Sequence, residues 1–311
     1  MLLAHLRVRS VARPTPSFAR IELGGPQLAD FGVEGPLFDQ RFKLLLPGPG
    51  GLPQLSEESW WSDYSALPEE TRGAVRTYTI ADVLGEGADT RILVDFVLHS
   101  GAHGPGSDWA EHAAVGDEVL AALPRRGSAG GGIEFDPGDA ERLLLVGDET
   151  ALPAIHQILR QLPEREGGRT GAVFVEVPCA EDICDLPAID GVEVTWLPRG
   201  DRSVGEPVIE AVSAHLGFAP TPLPAAEPAG ASEPAGAALG ALDDMPWETP
   251  TYSALGEEVI DAPAVDGRYA WIAGESGMVT TLRRHLVGEL GMPRHQVAFM
   301  GYWREGVAMR A

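Results

Sequence analysis

Cysteine is almost missing from this chain of 311 residues, with only Cys179 and Cys184 present. Two thiols rule out a disulfide scaffold and leave too few ligands for an iron-sulfur cluster or a structural zinc site. Any redox chemistry must then come from another cofactor. The acids flanking both cysteines raise thiol pKa values, which makes these residues structural rather than reactive. Lysine is scarcer still, since Lys43 is the sole one, and a GC-rich genome accounts for that bias toward arginine. Cations number 23 against 46 acidic residues, for a formal charge of −23. That balance opposes nucleic acid and anionic membrane as general partners. No apolar run approaches the ~20 residues that span a bilayer. Met1 to Leu6 is too short, and too soon interrupted by His5, Arg7 and Arg9, to be a secretory segment. A cytoplasmic protein without membrane insertion is expected. The dinucleotide fingerprint Gly-x-Gly-x-x-Gly is also absent.

What remains is a chain with 44% hydrophobic residues, enough for two packed domains. Its first third carries short β-type runs broken by Gly and Pro: Leu2 to Val11, Phe18 to Leu23, Arg41 to Leu46, Val75 to Val83, Arg91 to Leu98 and Glu118 to Ala122. Such spacing predicts an antiparallel barrel. From Arg142 the texture changes. Leu143 to Val146 reads as a strand, and Leu152, Ile155, Ile158, Leu159 and Leu162 then share one helical face. Strands over Ala172 to Val177, Val192 to Leu197, Tyr269 to Ala273 and Val297 to Tyr302 are interleaved with helices over Val204 to Leu216 and Met278 to Leu290. This alternation predicts an α/β domain with a parallel sheet and helices on both faces. The boundary falls near Asp136 to Asp139, giving domains 1–136 and 137–311. Within the second, the Pro/Ala-rich stretch 219–266 cannot bury enough to order itself and is expected to be a mobile insertion. Its tail, with Trp247 and Tyr252, is expected to fold back onto the surface.

The most specific motif is Arg76-Thr77-Tyr78-Thr79-Ile80 on a barrel strand, followed by Asp95-Phe96-Val97-Leu98-His99 on the next. Then comes Gly104-Pro105-Gly106-Ser107-Asp108-Trp109-Ala110. Alone, Arg-x-Tyr-Thr also describes an exposed strand face. In this order the three segments resemble the flavin domain of the ferredoxin-reductase-like superfamily. The resemblance implies an antiparallel FAD-binding β-barrel followed by an α/β nucleotide-binding domain. Arg76 would neutralise the pyrophosphate, Tyr78 flank the isoalloxazine, and Thr77 and Thr79 serve the flavin. Asp95, Val97 and His99 would join them, and Gly104, Ser107, Trp109 and Ala110 would present helix N-terminal amides to phosphate.

Five segments narrow the resemblance: Asp95 to His99 and Gly104 to Ala110 again, with Gly147-Asp148-Glu149-Thr150-Ala151-Leu152-Pro153-Ala154-Ile155, Ala273-Gly274-Glu275 and Gly301-Tyr302-Trp303-Arg304-x-Gly306. With them the chain is similar to the siderophore-interacting proteins, FAD enzymes that reduce ferric siderophores with NADPH or NADH. This implies cofactor contacts at Asp148, Thr150, Ala151 and Trp303, where a nucleotide meets strand carboxyl ends. It also implies a basic pocket for an anionic ferric siderophore, formed by Lys43, Arg125, Arg126 and Arg304. No side chain need act as acid or base at the iron, so no catalytic residue is named, and a monomer is expected. The chain departs from the family at Leu123, where a Gly usually precedes Pro124, at Ala81, which often is Arg, and in the 219–266 insertion.

Glu176 and Arg199 offer contacts to an adenosine ribose and a 2′-phosphate, or are ordinary surface charges, which leaves the nicotinamide preference open. His99, His103 and His112 have a metal-like spacing, but Gly101, Gly104 and Pro105 oppose the helix it would need. Gly274-Glu275-Ser276-Gly277-Met278 lacks the final Gly of a hydrolase elbow, and a helix cap by Ser276 explains it better. Two alternatives share this fold: a flavin reductase with another electron acceptor, and a chelate-binding carrier without turnover.

Overall fold

Two runs of strands with different logic build the molecule. The computed structural model describes residues 1–98, 104–128, 131–162, 168–220, 246–249, 252–253 and 267–306. His99 and most of the 219–266 insertion lie outside these. The described chain separates into one unit of Met1–Ile133 with His156–Gln161 and another of Glu134–Ile155 with Leu162–Arg310.

The first unit contains β1 (Leu2–Thr15), β2 (Phe18–Gly24), β3 (Arg41–Leu46), α1 (Trp60–Ser65), β4 (Ala74–Thr79), β5 (Asp82–Leu84), β6 (Arg91–Val97), α2 (Pro105–His112) and β7 (Glu118–Leu123). The strands form one antiparallel sheet in the order β4-β3-β7-β1-β2-β6-β5. Its two outermost strands, β4 and β5, are joined by Ile80 and Ala81 alone, so the sheet has to curl until its ends meet. The single run expected over Val75 to Val83 is therefore two strands. Ile80 donates its amide to Gln40 O at 2.9 Å, and Ala81 to Leu93 O at 2.8 Å. The alternation of β6, with Ile92, Val94 and Phe96 buried and the residues between them half-exposed, shows which face is inward. That face joins Leu6, Val8, Ile21, Leu23, Phe42 and Leu44 in the main core.

The second unit contains β8 (Arg142–Gly147), the start of α3 (Leu152–Gln161), whose residues His156–Gln161 count with the first unit, then β9 (Thr170–Val177), β10 (Val192–Pro198), α4 (Glu206–Leu216), β11 (Trp247–Thr249), β12 (Tyr252–Ser253), β13 (Arg268–Glu275), α5 (Ser276–Arg283) and β14 (Val297–Trp303). The order is β10-β9-β8-β13-β14-β11-β12, parallel from β10 to β14. Being covered on both faces, the central strands read as unbroken apolar runs, as in the Leu143–Val146 stretch, where every residue is buried. One face packs Leu144, Val146, Ala270, Ile272 and Phe299 against Val208, Val212, Met278 and Leu282 of the helices. The tail of the insertion joins the sheet: β11 pairs antiparallel with β14 and with the outermost β12, and Gly301 donates to Pro246 O at 2.8 Å. The helix expected over Met278 to Leu290 is α-helical only to Arg283, and a π-helical turn completes it over Arg284–Glu289.

Candidate functional site

In the first unit the motif on β4 is divided between the two faces of its sheet. Residues directly opposed in an antiparallel ladder share a face. Arg76 opposes Leu44 and Tyr78 opposes Phe42, both core residues, whereas Thr77 opposes Lys43 and Thr79 opposes Arg41. Tyr78 accordingly leans on the core, its ring centroid 4.4 Å from that of Phe96, which lies 5.5 Å from Trp109 of α2. Burial raises the Tyr78 phenol above its ordinary pKa, so it stays neutral.

The first turn of α2 is fitted to these two side chains. Pro105 starts the helix after the extended Gly104, and a Cβ on Gly106 would stand 2.1 Å from Tyr78 Oη and 3.8 Å from Arg76 Cγ. Only glycine admits this approach of helix to strand. It places the arginine stem beside a helix N-terminus, where unsatisfied amides and the helix dipole already favour an anion. Burial lowers the Arg76 pKa, yet a guanidinium remains charged. Ser107 and Ala110 are buried within the same helix.

On the opposite face Lys43 Nζ donates to Thr77 Oγ1 at 2.7 Å. Burial, with the charge of Arg41 second, holds the Lys43 ammonium below the usual lysine value. Asp95 and Val97 alternate with Phe96 and so point away from Tyr78, and both Asp95 oxygens accept from Arg20 at 2.7 Å. Arg125 pairs with Asp30 at 3.1 Å and with Glu57, while Arg126 donates to Phe31 O at 3.2 Å. Arg304 belongs to the second unit, exposed just beyond β14.

In the second unit Asp148 is the centre of the predicted group. It follows β8, is fully buried, and accepts four hydrogen bonds. Oδ1 receives the Thr150 amide at 2.9 Å and Thr150 Oγ1 at 2.5 Å, and Oδ2 receives the Glu275 amide at 2.7 Å and Trp303 Nε1 at 2.8 Å. One carboxylate thus ties together the carboxyl ends of β8, β13 and β14. Burial, and next the Glu149 carboxylate beside it, push its pKa up to about 6. Ala151 closes the turn by donating its amide to Asp148 O at 3.0 Å.

Sequence reasoning missed what Glu176 and Arg199 do. Neither is an ordinary surface charge: Arg199 Nη1 donates to Glu176 at 2.7 Å, and its two terminal nitrogens reach both oxygens of Glu149 at 3.0 and 3.2 Å. Glu176 also accepts the Gly205 amide at 2.8 Å, ahead of α4. Both carboxylates are fully buried, and so Glu176 is not offered to a ribose. Likewise the cap of α5 is Glu275, which accepts the Gly277 and Met278 amides at 2.6 and 3.0 Å, while Ser276 Oγ donates to Trp303 O at 2.8 Å. The capping role expected of Ser276 belongs to its neighbour because a carboxylate can accept two amides at once. Cys179 Sγ donates to Asp182 at 3.0 Å, which pushes the thiol up to about 11. Among the described residues no group of three metal-binding side chains occurs, and no helix is long and apolar enough to cross a membrane.

A curled antiparallel sheet followed by a mixed sheet with helices is the ferredoxin-reductase-like fold. Within that class, residues 7–128 match the siderophore-interacting FAD-binding domain and residues 140–306 the siderophore-interacting protein family. The chain belongs to the siderophore-interacting protein family. It is 36% identical over 212 residues to Rv2895c of Mycobacterium tuberculosis, covering 64% of this chain and 69% of that one. It is 25% identical to the ferric vibriobactin reductase ViuB of Vibrio cholerae, over 98% of this chain and 89% of the relative. A siderophore utilization protein from T. fusca superposes with a TM-score of 0.67 at 25% identity, over 99% and 94% of the two chains.

Proposed function

We propose that this protein is an FAD-dependent oxidoreductase that takes reducing equivalents from a nicotinamide nucleotide and delivers them to the iron(III) of a siderophore. The observation that carries this reading is Arg76 running beside the first turn of α2, in a chain whose residues 7–128 match an FAD-binding domain. The fit to FAD rests on this arrangement. A pyrophosphate needs fixed positive potential, and Arg76 with the Gly106 and Ser107 amides supplies it. Tyr78, wedged by Phe96 and Gly106, presents an aromatic face for a flavin ring, while Thr77 and Thr79 stand on the other face of β4. Bound FAD supplies the coupling of a two-electron donor to one-electron acceptors.

We assign the flavin to residues 1–136 and the donor to residues 137–311. Thr150 and Trp303 stand half-exposed at strand carboxyl ends, where a nucleotide binds in open α/β sheets, and the buried Asp148 and Ala151 shape the turn behind them. Asp148 keeps the Trp303 indole at a fixed position there. In the first unit Lys43, Arg125 and Arg126 serve the chelate. On a chain of charge −23 a retained ammonium is a local attraction for an anionic substrate, and Lys43, already half-desolvated, loses little water on meeting one. Siderophore oxygens are hard donors that favour iron(III), so reduction loosens the chelate and frees iron(II). Each donor molecule carries two electrons, sufficient for two ferric chelates. Cytoplasmic nicotinamide pools are the source of those electrons.

Replacement of Lys43 by Ala tests the chelate side. The expected result is slower ferric siderophore reduction with unchanged reduction by the nicotinamide donor. An unaltered chelate rate contradicts the pocket.

A further inference from the structure

The carboxyl edge of the second unit bears on which nicotinamide nucleotide it accepts, an inference that rests on the donor site proposed above. NADPH differs from NADH by a 2′-phosphate on the adenosine ribose. In doubly wound sheets that ribose lies at the end of the second strand, and an arginine close by accommodates the phosphate when one is present. The second strand here is β9, between β8 and β10. Arg199 follows β10 directly and donates its amide to Val177 O at 2.8 Å, so it is the cation that stands at this position.

Its guanidinium is already committed. Both terminal nitrogens are held by Glu149 and Glu176 at 2.7 to 3.2 Å, and its side chain is 11% exposed. Turning it toward a phosphate would strip two fully buried carboxylates of their counter-charge, which is costly in a low-dielectric interior. The next cation, Arg202, is forked between Glu206 at 2.9 Å and Glu210 at 2.7 Å. The segment after β9, Pro178 to Asp185, contributes Glu181, Asp182 and Asp185 and no basic residue. Arg304 follows β14, three strands away from β9, roughly 14 Å across the sheet.

We infer that the protein is specific for NADH, and that the Glu149–Arg199–Glu176 pairing excludes NADPH by leaving its 2′-phosphate among carboxylates, with no available cation at that strand end among the described residues. The test compares anaerobic flavin reduction by the two nucleotides on the holoprotein. Calorimetric binding of 5′-AMP and 2′,5′-ADP runs alongside it. NADH is expected to be favoured by about tenfold or more in kcat/KM, since unmatched like charge is strongly rejected, and 2′,5′-ADP should bind no more tightly than 5′-AMP. Equal or better use of NADPH, or tighter 2′,5′-ADP binding, overturns the inference while leaving the nicotinamide reading intact. Failure of both nucleotides to reduce the flavin removes the reading itself, and the inference with it. A Glu149→Gln variant, which loosens Arg199, should shift the ratio toward NADPH, and a folded variant with the wild-type ratio contradicts the role given to the pairing. If that variant does not fold, the wild-type comparison decides alone.

Discussion

Asp148 Oδ2 accepts the indole N–H of Trp303 at 2.8 Å, joining residues 155 apart in the chain. The same oxygen accepts the Glu275 amide, so neither donor can be turned away without breaking the other contact's geometry. Asp148→Asn puts an N–H2 group against donors on one side or the other. The expected loss is about 1–3 kcal/mol of unfolding free energy at neutral pH, the usual penalty for unpaired buried groups, read by chemical denaturation.

The raised pKa of Asp148 also fixes a pH dependence. Its folded value, about 6, lies above the unfolded carboxylate value of about 4, so the folded state holds the proton more tightly between them. The stability that protonation contributes is fully present below about 4 and is lost as pH rises through about 6. Unfolding curves of wild type and Asp148→Asn should therefore differ by an amount that changes across this window. A constant offset would contradict the assignment.

Gly274 has a φ of +142°, and a Cβ there would stand 2.5 Å from Asp148 Oδ2. Gly274→Ala combines a backbone penalty of about 1–3 kcal/mol with displacement of the Asp148 carboxylate. We expect a clear fall in denaturation midpoint, together with a changed Trp303 environment in a fluorotryptophan NMR spectrum. Preserved stability would show that the backbone relaxes freely.

Arg199→Met leaves Glu149 and Glu176 buried without a cation. Removing one partner of a buried ion pair costs about 3–5 kcal/mol, and thermal or chemical unfolding should show a loss of that order. The loss should shrink on acidification, as Glu176, whose pKa burial raises, becomes protonated.

Gly106→Ala tests the flavin side. The added methyl collides with Tyr78 Oη, so Tyr78 and the α2 turn must separate. FAD affinity should fall by roughly tenfold, or about 1.4 kcal/mol, measured by flavin fluorescence quenching. An unchanged dissociation constant would detach Tyr78 and α2 from the flavin.

Much of this architecture is legible in the sequence because it is written in short-range pattern. The apolar run Leu143 to Val146, the one-sided face from Leu152 to Leu159 and the Arg76 to Ile80 motif declare themselves within a few residues. What escaped reading depends on partners distant in sequence. Ile80 and Ala81 look like strand interior, and only the need to join opposite ends of the sheet makes them a corner. Trp247-Glu-Thr is too short a β-run to announce a strand, and its partner β14 lies some fifty residues on. Glu176 and Arg199 look like surface charges because sequence shows neither burial nor the convergence of Glu149 upon them. The same limit applies to the site. Which residues flank Arg76 is local information, while the division of Arg76 and Tyr78 from Lys43 and Thr77 follows from the ladder with β3.

The most direct test is an anaerobic cycle followed in the visible spectrum. FAD-loaded protein should bleach on addition of NADH, then regain its yellow absorbance when a ferric siderophore is added, as an iron(II)-specific chelator develops colour. Two iron(II) should be trapped per donor oxidised. Protein that takes up no FAD, or that bleaches yet yields no trapped iron(II), would contradict the account, the first at the flavin and the second at the chelate.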